Sequence, residues 1–171
     1  MASRRKGRIL AFQALYAWDL SGNLPIGDLL EEKSGPEGDS GNTPDFSRLL
    51  VAGTIENIGA IDTMIRRHLK NWDFSRLNRV DLAVLRISVY ALMYQSDTAP
   101  SIIINEAIGI SKEFGTDDSY RFINGVLDGI RKSLEAPPQE TVSQETVSQE
   151  TVSQETVSQE TVSQETAPQE R

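Results

Sequence analysis

The first eight residues hold the strongest concentration of positive charge in the chain. The first acidic residue is Asp19, and four cations precede it: Arg4, Arg5, Lys6 and Arg8. Arg4 and Arg8 are one helical turn apart, so both side chains can reach the same track of phosphates. Such a cluster binds a polyanion by releasing counterions. Cations near a helix N-terminus oppose the helix dipole, which favours a binding role over the structural alternative, a solvated helix start.

Other residue types indicate neither a catalytic site nor a metal site. The chain has no cysteine and a single histidine, His68, whose cationic neighbours favour a solvated position. Asp117 and Asp118 could act as a carboxylate pair, but adjacent positions at a helix start favour capping. No phosphate-binding loop, dinucleotide fingerprint or nucleophile elbow occurs. We therefore expect a protein that is not an enzyme and that binds no metal or cofactor.

A few aromatic and polar side chains could contact nucleic-acid bases. Tyr16 and Phe122 each lie near a basic residue, an Asn or a Gln, and could stack on unpaired bases. The other aromatic residues recur at helical spacing, which is typical of a core. Asn105 and Glu106 lie in a mostly apolar segment, which favours hydrogen bonds between two helices over catalysis.

Negative charge is concentrated at the other end of the chain. The 171 residues have a formal net charge of −8, and residues 135–171 contribute −7 of it through eight Glu and one Arg. Residues 1–134 hold 17 acidic and 16 basic residues and are almost neutral. The last segment repeats Gln-Glu-Thr-Val-Ser, a period that gathers no apolar face on a helix or a strand. We expect a folded domain over residues 1–134 and a disordered acidic tail over residues 135–171.

Apolar residues recur every three or four positions through residues 1–134, which is typical of helices. A first helix is expected to end at Ser21–Gly22, because glycine accepts the left-handed geometry that follows a helix. A second is expected to begin at Thr43–Pro44 and to continue for about six turns to Leu69. Residues 72–77 indicate a turn or a one-turn helix.

The second half of the domain predicts three more helices. Asn78 can cap a helix that is apolar on nearly all sides and is therefore expected to be central. The run Ile102–Ile104 would suit a strand, but the helical spacing that follows it, closed by Gly115, favours a helix. Thr116 is expected to cap the last helix. Because no segment alternates with a period of two, the fold class is predicted as all-α, a compact bundle of about six or seven helices.

The sequence gives no sign of membrane insertion or export. No stretch approaches 18 consecutive apolar residues, and the basic start does not lead into the apolar core of a signal peptide. We expect a cytoplasmic protein with no membrane partner.

Five short motifs are spread over residues 4–134 in an order and spacing shared with one known family. They are Arg8–Trp18, Leu77–Ile87, Ile104–Ile108, Ser111–Gly115 and Phe122–Asp128. Together these motifs resemble the NusB family of bacterial transcription antitermination factors. The resemblance implies an all-helical fold of two packed helical subdomains, although residues 22–70 are similar only in helical pattern.

The same resemblance implies a scaffold that binds the boxA element of single-stranded RNA together with NusE, a ribosomal protein, within an RNA polymerase antitermination complex. By similarity, the RNA contacts map onto Arg4, Arg5, Lys6, Arg8, Gln13, Tyr16, Phe122 and Asn124. The NusE interface maps onto Arg79, Asp81 and Asp118. The chain has Ala91 where the family commonly carries Glu, so the partner surface is expected to differ there.

Two alternatives stay open. The first is a helical protein–protein adaptor or homodimer that does not bind RNA. The second is an enzyme, because a similar helical domain accompanies some RNA methyltransferases, but residues 1–134 leave no room for a cofactor-binding catalytic domain.

Overall fold

The structure, a computed structural model, describes residues 2–22, 25, 27–28 and 43–136. These residues form six α-helices and one short 3-10 helix: α1 (Ala2–Ser21), α2 (Thr43–Glu56), α3 (Ile58–His68), the 3-10 helix (Phe74–Arg76), α4 (Arg79–Tyr94), α5 (Pro100–Phe114) and α6 (Ser119–Glu135). No strand occurs in these ranges. The all-α prediction is confirmed.

Helix α4 is the central element of the fold. It packs against all five other helices, and every residue from Asp81 to Val89 is buried. A helix that is apolar on nearly all sides is stable only when other helices surround it, so the predicted central position is confirmed. The Asn78 side chain accepts a hydrogen bond of 2.9 Å from the Val80 N–H and caps the helix, as its position indicated.

The other helices form two groups around α4. Helix α1 packs chiefly on α2, and α5 packs chiefly on α6, which also contacts α3. One apolar core joins the two groups, with Leu15 and Leu50 from the first and Ile123 and Leu127 from the second, all fully buried. The arrangement agrees with the predicted pair of packed helical subdomains.

The prediction of a single six-turn helix from Thr43 to Leu69 is wrong. The chain bends at Asn57 and forms two helices, α2 and α3. The Asn57 side chain and backbone N–H both donate to the Gly53 carbonyl oxygen, at 2.8 and 3.2 Å. The Thr54 hydroxyl donates to another carbonyl in the preceding turn at 2.6 Å. Side chains that bond to the backbone in this way bend helices. The apolar stripe continues through the bend, so the periodicity gives no sign of it.

Of three expected helix ends, the one at Gly22 has the predicted physical basis and the two at Gly115 and Thr116 do not. Gly22 has φ +69°, the left-handed conformation expected of it. Gly115 is extended, with φ −92°, and is instead required by close packing: a Cβ there would stand 2.7 Å from the Ser119 Cβ. Helix α6 begins at Ser119, whose hydroxyl accepts from the Thr116 N–H at 2.9 Å. The prediction that Thr116 caps this helix is therefore wrong.

The predicted boundary between domain and tail lies at the end of α6. This helix continues to Glu135, one residue past the expected boundary. Residues 137–171, which contain most of the predicted acidic tail, lie outside the described residues, so their disorder stays a prediction. Among the helices that the structure describes, none is long and apolar enough to cross a membrane.

Candidate nucleic-acid interface

The first two turns of α1 carry the four predicted phosphate-binding cations, here called the basic end of α1: Arg4, Arg5, Lys6 and Arg8. The structure gives them different degrees of burial. Arg4 and Lys6 are exposed, Arg5 is half-buried and Arg8 is buried, with 6% of its surface exposed. The four side chains thus share one end of a helix without sharing one solvent-exposed face.

Phe46 of α2 lies beside two of these cations. Its ring centroid is 5.3 Å from the Arg4 guanidinium carbon and 5.5 Å from that of Arg8, which is within range of cation–π attraction. The ring also contacts α1 at Gly7, where a Cβ would stand only 2.7 Å from Phe46 Cδ1. The Ser47 hydroxyl donates to the Gly7 carbonyl oxygen at 3.0 Å. Helix α2 therefore fixes the basic end of α1 and orients two guanidinium groups.

Arg5 extends from α1 across the middle of α5. Its Nη1 lies 3.4 Å from Glu106 Oε2, and its Nη2 lies 3.3 Å from Glu113 Oε2. The prediction that Glu106 ties two helices together is confirmed by this contact. The neighbouring Asn105 is exposed. Together with Asp97, which lies 3.8 Å from an Arg4 nitrogen, the glutamates partly balance the positive charge.

Arg8 is buried where α1 meets α4 and α5. Its Nε and Nη2 atoms have no hydrogen-bond partner among the described residues. Burial lowers the pKa of Arg8, and the negative charge of Glu106 acts in the opposite direction. Because a buried charge without a hydrogen-bonded partner is costly, the fold gains nothing from these two N–H groups by themselves. Both atoms are sealed from solvent, so Arg8 contributes positive charge to this end of α1 without presenting these two N–H groups to a ligand.

The predicted base contacts fall into separate grooves. Gln13 and Tyr16 line a groove of about 540 Å³ beside Phe114. Phe122 lies in a different cleft of about 230 Å³ and packs on Trp72, with ring centroids 5.6 Å apart. The structure therefore brings Gln13 and Tyr16 together and places Phe122 apart from them.

Asn124 lies on a third surface. It is exposed and lines a groove with Asn105 and Arg131 at the junction of α5 and α6. Residues two apart on a helix differ in direction by about 200°, so Asn124 and Phe122 face nearly opposite ways.

Two of the three predicted partner contacts line the Phe122 cleft. Asp81 is 8% exposed and its Oδ1 has no hydrogen-bond partner within the described ranges. Burial raises the pKa of Asp81, and a hydrogen bond with Ser119 opposes that shift. Asp118 is exposed at the rim of the cleft. Arg79 is directed elsewhere, because its Nη1 donates to Asp19 at 2.7 Å.

Three residues that shape these surfaces have no distinguishing sequence signal. Phe46 belongs to the apolar stripe of α2, and Glu113 resembles any exposed helical acid. Trp72 is 60% exposed in an irregular segment, next to Asn71 with φ +62°. Only the packing of distant segments reveals their positions. In the part of the chain that the structure describes, no cluster of acidic residues or histidine could hold a metal ion.

Comparisons with known proteins assign the chain to a family. The NusB family model matches residues 5–132. The transcription antitermination protein NusB of Treponema denticola is 55% identical over 131 residues, which cover 75% of this chain and 95% of that protein. NusB of Geobacter sulfurreducens is 43% identical over 136 residues, covering 78% and 97% of the two chains.

Solved structures give the same assignment. A structure of T. maritima NusB has a TM-score of 0.70 and 36% identity, covering 75% of this chain and 90% of that one. A crystal structure of antitermination factors NusB and NusE in complex with dsRNA also has a TM-score of 0.70, with 28% identity and coverage of 78% and 98%. The chain belongs to the NusB family, as its five motifs indicated.

Proposed function

We propose that this protein is a transcription antitermination factor that binds boxA-type single-stranded RNA together with NusE, within an RNA polymerase antitermination complex. The observation that carries the proposal is the basic end of α1, where the exposed Arg4 and Lys6 and the half-buried Arg5 lie within two helical turns, above the buried charge of Arg8. The names of the relatives and the similar NusB–NusE structure with RNA support it. The function is one of binding, not of catalysis.

The RNA backbone is expected to follow the basic end of α1. Arg4 and Lys6 are exposed and can contact phosphates directly. Arg8 is buried beneath them and adds its positive charge. The ion pairs of Arg4 and Arg5 are at least 3.3 Å long and lie near solvent, where such pairs contribute little. A phosphate can therefore replace the carboxylates. Gln13 and Tyr16, further along α1, are proposed to contact bases.

NusE is proposed to bind at the cleft that contains Phe122, Asp81 and Asp118. The unpartnered carboxylate oxygen of Asp81 can accept a hydrogen bond from a donor on the partner, which would remove the cost of its burial. If one RNA strand contacts both proteins, each weak contact raises the local concentration for the other, so cooperation requires no large rearrangement.

The test is RNA binding by a double variant, Arg4→Ala with Lys6→Ala. Loss of two phosphate contacts should weaken binding of labelled boxA RNA by roughly 25-fold near 0.1 M salt, measured by fluorescence anisotropy. The matched control is Arg67→Ala, which removes an exposed cation from α3. Circular dichroism should be unchanged in both, because the altered side chains are exposed. Equal affinity of the double variant and the control would contradict the proposal.

The same assay with added NusE separates the proposed function from its alternative. An antitermination factor should bind boxA RNA more tightly when NusE is present, and more tightly than RNA of scrambled sequence. A helical adaptor or homodimer would associate with protein but show no RNA-dependent signal with either sequence.

A further inference from the structure

Helix α5 holds Arg5, a member of the basic end of α1, between two carboxylates. Glu106 and Glu113 are seven residues apart, which places them about two turns apart on the same face of α5. The guanidinium of Arg5 crosses the helix between them, above Gly109, where a Cβ would stand 2.6 Å from its Nη1. We call Glu106, Gly109 and Glu113 the acidic bracket.

The acidic bracket offers Arg5 the same chemistry as an RNA backbone, namely anionic oxygens on either side of the guanidinium. Its contacts of 3.4 and 3.3 Å are longer than the usual range for hydrogen bonds between charged groups. The side chains of Arg5 and Glu113 are 41% and 51% exposed, so water screens the attraction. These weak contacts allow an RNA phosphate to replace the two glutamates at the Arg5 guanidinium. The phosphate must compete with both of them.

We propose that Glu106 and Glu113 are positioning residues that hold Arg5 across α5 and compete with RNA phosphates for its guanidinium. This inference rests on the proposed RNA-binding function. It adds that the two glutamates limit the affinity for RNA. Gly109 has a defined part in this arrangement, because any larger residue would displace the guanidinium. Because Nη1 is the end of a flexible side chain, Arg5 can move away from such a Cβ while the helix stays in place.

Substitution Glu113→Gln tests the inference most simply. It removes one competing charge from an exposed position and keeps the shape of the side chain, so the fold should be unaffected. Affinity for boxA RNA should rise by about threefold, the scale of an exposed ion pair. The salt dependence should become steeper by up to about 0.7 in the log–log slope, since Arg5 gains a fuller phosphate contact. Glu56→Gln, an exposed acid on α2, is the matched control.

A double-mutant cycle shows whether the effect passes through Arg5. In an Arg5→Ala background, Glu113→Gln should have no more effect than Glu56→Gln, because the guanidinium for which Glu113 and RNA compete is absent.

Gly109→Ala should also tighten RNA binding, because its Cβ displaces Arg5 from the bracket without changing any charge.

The outcomes separate this inference from the proposed function. If the unmodified protein binds no boxA RNA, the proposed function fails. If the unmodified protein binds boxA RNA but Glu113→Gln binds it equally well or more weakly, Glu113 does not compete with RNA for Arg5. Only this inference is then overturned. An undiminished gain in the Arg5→Ala background would likewise overturn it.

Discussion

Two arginines of this protein are almost equally buried, and their surroundings differ. Arg86 on α4 is 7% exposed, and Arg8 on α1 is 6% exposed. The Nε and Nη2 atoms of Arg86 both donate to the Asp62 carboxylate at 2.8 Å, and its Nη1 lies 3.4 Å from Asp19. The corresponding Nε and Nη2 atoms of Arg8 find no acceptor in the described part of the chain.

The electrostatic consequences are opposite. Burial acts to lower the pKa of Arg86, but hydrogen bonds and charge from Asp62, with a further contribution from Asp19, outweigh it and raise the pKa. For Arg8, burial prevails and lowers the pKa. An arginine whose N–H groups are satisfied inside the fold holds helices together. An arginine whose N–H groups stay buried and unsatisfied costs the fold stability, which distinguishes Arg8 from the structural Arg86.

The largest effect is expected at the satisfied arginine. Arg86→Met leaves Asp62 buried without its partner and should lower the free energy of unfolding by about 3–5 kcal/mol. Urea denaturation followed by circular dichroism measures this difference. A loss below about 1 kcal/mol would show that the Asp62–Arg86 pair does not hold α3 to α4.

The same substitution at the unsatisfied arginine should behave differently. Arg8→Met removes two desolvated N–H groups without stranding an acid, so the free energy of unfolding should stay equal or rise by about 1 kcal/mol. Affinity for boxA RNA should fall by less than the roughly fivefold that one phosphate contact contributes near 0.1 M salt, because the buried guanidinium acts through its charge. A destabilisation as large as that of Arg86→Met would erase the distinction between the two arginines.

Asp81 extends the comparison to a buried acid. Burial raises the pKa of Asp81 above its ordinary value of 3.8, so the folded state binds its proton more tightly than the unfolded state. The stability that this tighter proton binding contributes is fully present below pH 3.8. It is lost as the pH rises through the higher pKa that Asp81 has in the folded state. Asp81→Asn should therefore exceed the original protein in stability by about 1 kcal/mol at pH 7.

The pH dependence of that gain is the control. Thermal unfolding at several pH values should show the advantage of Asp81→Asn shrinking as pH falls toward 3.8. Binding of the original protein to NusE should also weaken as the pH falls, if the ionised Asp81 accepts a hydrogen bond from the partner. An advantage that is constant with pH would contradict a raised pKa of Asp81 in the folded state.

The smallest effects are expected at two glycines of α6. No heavy atom would lie within 4 Å of a Cβ on Gly125, whereas a Cβ on Gly129 would stand 3.3 Å from His68 Cδ2. Gly125→Ala should stabilise the protein by roughly 0.8 kcal/mol through helix propensity. Gly129→Ala should gain less, because the His68 ring must shift. Equal gains in chemical denaturation would show that α3 does not approach α6 closely there.

Most of the fold follows from local sequence patterns. The apolar surface of α4 predicts its central position, and Asn78 and Gly22 mark helix ends through side-chain and backbone preferences. The bend at Asn57 could not be predicted, because side-chain bonds to the backbone leave the apolar spacing intact. Helix α6 begins at Ser119, later than expected, and the hydrogen bond from the Thr116 N–H to the Ser119 hydroxyl leaves no sign in the apolar spacing.

The candidate site is only partly readable from the sequence. The cations of α1 are apparent from composition, but the burial of Arg8 depends on how α1 packs on α4 and α5. Phe122 and Asn124 are close in sequence yet face different grooves, and only the placement of α6 separates them. Glu113 pairs with a residue 108 positions away, a relation that no local pattern carries.

The salt dependence of boxA RNA binding tests the basic end of α1 most directly. Measured by anisotropy between low and physiological salt, the logarithm of the association constant should fall against the logarithm of salt concentration. A slope of about −2 is expected if Arg4, Arg5 and Lys6 contact phosphates, and about −3 if Arg8 also contributes. A slope near zero would contradict a phosphate-binding role for this end of the helix.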